Sequence, residues 1–151
     1  MPEWASKDAI NYRGLVPASL SHYMVLIQLG AGICEAIIDT GGARSLIDLD
    51  TAKALKLDIE LAKKNDMGCF WGPGGEVMGY AGRVKGPIKF QLSKNVYLEA
   101  PELKLIKHAE PLLIIGTDVL VTSTNDWRFV SVGIHPEVNT GMLVVQDKEK
   151  V

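Results

Sequence analysis

Asp39 is the residue whose type and setting most clearly suggest chemistry. It follows Ala36-Ile37-Ile38 directly, so a carboxylate stands at the end of an apolar run, and Thr40-Gly41-Gly42 then turns the chain away. A carboxyl group held at a strand end can serve as a general acid or base. An Asp before Gly can equally do no more than cap a turn. For this segment alone, both readings stand.

Other reactive groups are sparsely placed. Cys34 and Cys69 are too few for a disulfide framework and have neither CxxC spacing nor a nearby His. His22, His108 and His135 are scattered, so neither a structural zinc site nor any other metal or cofactor is expected. Each Cys reads as a small buried hydrophobe and each His as a surface or loop residue. Residues 25–32, Val-Leu-Ile-Gln-Leu-Gly-Ala-Gly, imitate the strand and glycine turn of a dinucleotide-binding unit. Glu35 occupies the position where that motif needs a third small residue, and residues 33–38 are too apolar and too few for its helix. Residues 72–75 lack the Lys-Ser/Thr pair of a phosphate loop.

The elements that must hold Asp39 are mostly short strands. Residues 23–29 and 33–38 flank Gly30-Ala31-Gly32 and predict a hairpin. Ser45-Leu46-Ile47 starts a third strand. A helix of about two or three turns follows, capped by Asp48 or Asp50, with Leu49, Ala52 and Leu55 on one stripe. Residues 61–67 carry no clear pattern. Residues 69–80 place apolar and aromatic residues on both sides of Gly72-Pro73-Gly74-Gly75, which predicts a long hairpin with a glycine-rich tip. Strands are further expected at 88–92, 96–98 and 112–116, a short helix at 116–120, and a closing hairpin from 129–132 and 142–145. Many short strands with one or two short helices indicate a mainly β, barrel-like domain.

Composition narrows the function classes. A chain of 151 residues, 47% hydrophobic and 23% charged, suits one folded domain. Lys+Arg 16 against Asp+Glu 18 gives a net charge of -2, with no general field for nucleic acid or an anionic membrane. The longest apolar runs, such as 24–27 and 112–115, fall far below the ~20 residues of a membrane span. Met1-Pro2-Glu3-Trp4-Ala5-Ser6-Lys7 does not resemble a secretory signal. An intracellular, cytoplasmic protein without nucleic-acid or membrane partners is expected.

Two apolar residues, Asp39-Thr40-Gly41, then Ser45-Leu46-Ile47 and a helix resemble the aspartic proteases of retroviruses and retrotransposons, the retropepsins. Downstream, Leu113-Ile114-Ile115-Gly116-Thr117-Asp118-Val119-Leu120 is similar to that family's apolar-apolar-Gly strand and following helix. Ile115 and Gly116 carry this second signature, and the hairpin from Cys69 to Tyr80 stands in the place of the family's flap. The resemblance implies a closed acid-protease barrel over 23–146, with 1–22 as a flanking segment and 147–151 as a frayed tail.

It also implies a mechanism. Aspartic proteases share one proton between two carboxyls, because like charges about 3 Å apart do not both ionise readily. This chain has one Asp-Thr-Gly, so the second Asp39 would come from an identical copy in a C2 homodimer. The resemblance assigns catalysis to Asp39, a cross-axis hydroxyl to Thr40, and close approach of the substrate backbone to Gly41. Trp71, Pro73, Gly74 and Gly75 would belong to the flap that closes over a peptide or polyprotein substrate. Two departures stand out. Gly42 takes the place of the family's usual Ala or Ser, and Ala43 and Arg44 replace polar or acidic residues that grip substrate backbone. The expected activity is endopeptidic, in the processing of a retroelement polyprotein. The alternatives are an inactive retropepsin-like module for dimerisation or peptide binding, and a monomeric β domain in which Asp39 caps a turn.

Overall fold

The computed structural model describes residues 10–11, 24–63, 68–71, 75, 77–92, 94, 96–120, 127–135 and 140–147. In chain order its elements are β1 (Ile10–Asn11), β2 (Met24–Leu29), β3 (Gly32–Ile38), β4 (Leu46–Asp48), α1 (Leu49–Ala54), β5 (Ile59–Leu61) and β6 (Cys69–Trp71). There follow β7 (Val77–Gln91), β8 (Tyr97–Lys107), β9 (Leu113–Ile115), α2 (Thr117–Leu120), β10 (Trp127–His135) and β11 (Thr140–Asp147).

The β2–β3 hairpin forms as the sequence predicts, with Met24 opposite Ile37 and Leu29 opposite Gly32. Its turn requires glycine at position 30, where φ is +57° and a Cβ would lie 2.6 Å from the Leu55 carbonyl oxygen. The turn is thereby seated on the end of α1, and Ala31 N–H donates to the same carbonyl at 2.9 Å. From β3 the sheet runs through β2, β7, β8 and β4 to β9, and β9 pairs back onto β3. This closes a barrel of six strands. Inside it pack Ile27, Leu29, Phe90, Leu98, Leu103, Leu105 and Ile115, all essentially without solvent exposure. β1, from the stretch expected as a flanking segment, pairs in parallel with the start of β3. β10 and β11 form a separate two-stranded ribbon, with β11 beside β2. It contains the expected closing hairpin and extends it at both ends.

α1 is shorter than expected. Asp48 caps it, accepting from Thr51 N–H at 3.0 Å, and the helix stops at Leu55 because Lys56 turns left-handed at φ 59°. Asp48 also accepts from Leu112 N–H at 2.9 Å, which ties the helix start to the approach of β9.

The region after the hairpin differs most from expectation. Val77–Gln91 is one strand, where the sequence predicts a hairpin arm ending at 80 and a separate strand at 88–92; Gly82, Gly86 and Pro87 lie in between. The register with β8 shifts between Tyr80 and Gly82 and again between Lys85 and Ile88. The two bulges absorb the apparent strand breakers. A Cβ at Gly82 would collide with the Glu60 carbonyl of β5, so glycine lets β5 pack closely. β5 itself was not expected, and β8 continues to Lys107 instead of ending at 98.

The cysteines separate. Cys34 is buried and its pKa is pushed up to about 12, first by desolvation and then by the negative charges of Asp48 and Glu35. Cys69 is exposed, contrary to expectation, because β6 pairs with β7 at the hairpin rather than within the barrel. A thiol-reactive disulfide such as DTNB should therefore label one cysteine of the native protein. The second should react only with unfolding, and rapid modification of both in the native state would contradict the burial of Cys34.

Candidate functional site

Asp39 continues the pairing of β3 with β9, since its N–H donates to the Ile115 carbonyl at 2.9 Å. The chain then turns sharply, with Gly42 N–H donating to the Asp39 carbonyl at 3.2 Å. Gly41 N–H donates to Asp39 Oδ1 at 3.1 Å, so one carboxyl oxygen is fixed by the loop's own backbone. The side chain is half-buried, and Thr40 and Gly41 beside it are exposed.

Gly42 fits closely behind the carboxyl. A Cβ there would lie 2.8 Å from Asp39 Oδ2 and 3.0 Å from Cγ. The departure from the resemblance at this position therefore has a local consequence: the absent methyl leaves room that the carboxyl itself occupies.

A polar clamp holds the loop from below. Ser45 is fully buried; its N–H donates to Asp118 Oδ2 at 3.0 Å and its hydroxyl to Asp118 Oδ1 at 2.6 Å. The same hydroxyl oxygen accepts from Gly116 N–H at 2.9 Å. Thr117 N–H donates to the Gly42 carbonyl at 2.8 Å, completing the attachment of loop 39–45 to the β9–α2 junction. Gly116 is buried directly under this loop, where a Cβ would stand 2.8 Å from both the Arg44 and the Gly42 carbonyl oxygens. Ile115 is fully buried one residue earlier.

The structure thus brings together Asp39, Thr40, Gly41, Gly42, Ile115 and Gly116. The Ser45–Asp118 clamp was not singled out from the sequence. Its partners are 73 residues apart, and the only local sign was an Asp two residues after Gly116.

The hairpin expected as a flap is formed by β6 and the start of β7, with Trp71 opposite Val77. Gly75 is exposed at φ +82°, and among the described residues no atom lies within 4 Å of where its Cβ would be. Pro73 and Gly74 lie outside the described residues. The hairpin's root is anchored: Met78 and Phe70 join Ile37, Leu46, Ile106, Leu112, Ile114 and Met24 in a second apolar cluster, separate from the barrel interior. Ile37 and Ile114 face each other across the β3–β9 pairing that also holds Asp39, so the root of the β6–β7 hairpin and the carboxylate share one support. A depression of about 380 Å³ lined by Leu49, Asp50, Lys107, His108 and Ala109 contains none of these site residues.

No family model matches the sequence, and no curated protein matches it. Among solved structures, the retroviral protease-like domain of Ddi1 from Leishmania major superposes with a TM-score of 0.52 at 16% identity. The match covers 88% of this chain and 100% of that domain. The fold is retropepsin-like. EIAV protease, in complex with the inhibitor HBY-793, matches with a TM-score of 0.45 and 16% identity over 68% of this chain and 89% of its own. Within this retropepsin-like barrel, Asp39 sits where β3 leaves the closed sheet, and β6–β7 forms the adjoining hairpin. Among the described residues no helix is long and apolar enough to cross a membrane.

Proposed function

We propose that the chain is a homodimeric aspartic endopeptidase whose catalytic pair is Asp39 from each of two copies. The observation that carries this reading is a half-exposed carboxylate, fixed at one oxygen by Gly41 N–H, on a loop clamped to the β9–α2 junction of a retropepsin-like barrel. One such group is half of the required chemistry. A single carboxyl cannot both take a proton from water and donate one to the scissile carbonyl.

In the dimer the ionised Asp39 acts as general base on a bound water, while the protonated one donates a hydrogen bond to the peptide oxygen. The water oxygen attacks the carbonyl carbon, and the tetrahedral intermediate collapses as the amide nitrogen receives a proton and leaves. One proton is shared across the pair, so the two carboxyls act as a unit rather than as separate groups. Thr40, exposed beside the carboxyl, bonds across the twofold axis, and the β6–β7 hairpin closes over the peptide and excludes water. The substrate is an extended polypeptide segment laid over the two Asp39 loops. A retroelement polyprotein is a substrate of this class.

The test is cleavage of an apolar-rich peptide library near pH 5 over a range of chain concentrations. Specific activity should rise with concentration, because association assembles the dyad. A constant specific activity down to concentrations where the chain is monomeric would overturn the shared site. Peptide binding without turnover at every concentration would instead support the inactive binding module.

A further inference from the structure

The loop that carries Asp39 presents a cation, Arg44, that makes no ion pair among the described residues. Its back is pinned by Gly116, Thr117 and the Ser45–Asp118 clamp, while Thr40, Gly41, Ala43 and Arg44 are exposed. Two carboxylates on this support are already engaged. Asp118 takes both of its bonds from Ser45, and Asp48 accepts from Thr51 and Leu112 N–H. Arg83, Lys85 and Lys104 pair with carboxylates elsewhere on the surface, and none of these pairs includes Arg44.

We infer that Arg44 reads an acidic side chain of the substrate, two or three residues from the scissile bond. The inference rests on the proposed endopeptidase reading and deepens it. A guanidinium carries a planar fork of donors that suits a carboxylate bidentately. The buried clamp at Ser45 fixes the backbone from which Arg44 emerges, which lowers the ordering cost of such a contact. An extended peptide advances about 3.3 Å per residue. A side chain two or three residues along a peptide laid over Asp39 thus comes within reach of an arginine on the same loop. Small Ala43 beside it leaves the approach open. The charge states are compatible with the chemistry, because substrate Asp and Glu, with ordinary pKa values of about 4, remain ionised near pH 5. In a C2 dimer each copy contributes one Arg44, so the preference falls on both sides of the cut.

The experiment compares three peptides that differ only at these flanking positions, carrying Glu, Gln or Lys, with the wild-type chain, Arg44→Gln and Arg44→Glu. kcat/KM is measured by cleavage, and affinity by fluorescence anisotropy on the Asp39→Asn form of each chain. Wild type should prefer the Glu peptide by about three- to tenfold, mainly through KM, with the preference shrinking at high salt. Arg44→Gln should remove the preference, and Arg44→Glu should reverse it toward the Lys peptide. Because Arg44 is exposed, thermal midpoints of all three should agree. An unchanged preference in Arg44→Gln, or no charge preference in wild type, overturns the inference. Cleavage without charge preference removes the role of Arg44 and leaves the endopeptidase. Arg44-dependent binding without turnover removes the endopeptidase and keeps the role of Arg44.

Discussion

Replacing Asp39 with Asn should reduce peptide cleavage by at least about a thousandfold while leaving the fold intact. Asn has nearly the same shape, and its amide oxygen can still accept from Gly41 N–H, the one hydrogen bond between the Asp39 side chain and the loop. Among the described residues no ion pair includes Asp39, so the thermal midpoint should stay within a few degrees of wild type. What is lost is the basic oxygen that takes the proton from water. A mixing experiment adds a sharper readout. If wild-type and Asp39→Asn chains exchange freely, equal amounts leave about a quarter of dimers with two aspartates. Activity per dimer should then fall to about that fraction of wild type. Activity that instead fell only in proportion to the wild-type share would mean that one chain is sufficient, and the shared dyad would be abandoned.

The parts of this site that were legible in the sequence are those encoded locally. The β2–β3 hairpin has apolar alternation on both sides of a glycine turn, and Asp39 follows its second strand by a single residue step. The start of α1 was legible as one of two candidate caps, Asp48 or Asp50, of which Asp48 is the cap, although the left-handed Lys56 that ends the helix carries no such sign. β7 was hidden because Gly82, Gly86 and Pro87 ordinarily interrupt strands, and only its neighbours reveal that bulges accommodate them. β5 has three residues, two of them exposed, and exists through its pairing with β7 rather than through its own propensity. The Ser45–Asp118 clamp is likewise a tertiary fact. A serine and an aspartate far apart in sequence do not identify each other until the barrel closes.

Gly116→Ala should be the most damaging single-methyl change around this site. The added Cβ would stand 2.8 Å from two carbonyl oxygens, those of Gly42 and Arg44, and 3.0 Å from the Arg44 carbonyl carbon. Where a new methyl meets the tip of a side chain, as at Gly42, rotation can relieve the contact. Here all three atoms are backbone, and their segment is held by Ser45 bonded to Asp118 and by Thr117 N–H bonded to Gly42. Relief therefore requires the whole 42–44 segment to lift, which stretches or breaks those bonds and the one from Gly116 N–H to Ser45 Oγ. Overpacking of this kind costs about 1–3 kcal/mol, and each buried polar group left unpaired adds a similar amount. A loss of roughly 3 kcal/mol should lower the thermal midpoint by about 6–12 °C in a domain of this size. Activity should suffer beyond the loss of folded protein, because the lifted segment is continuous with Asp39, and about 1 Å of misplacement can cost a hundredfold. The decisive measurement is cleavage per folded molecule well below the lowered midpoint. Wild-type turnover there would show that the clamp supports the fold without setting the position of the carboxyl.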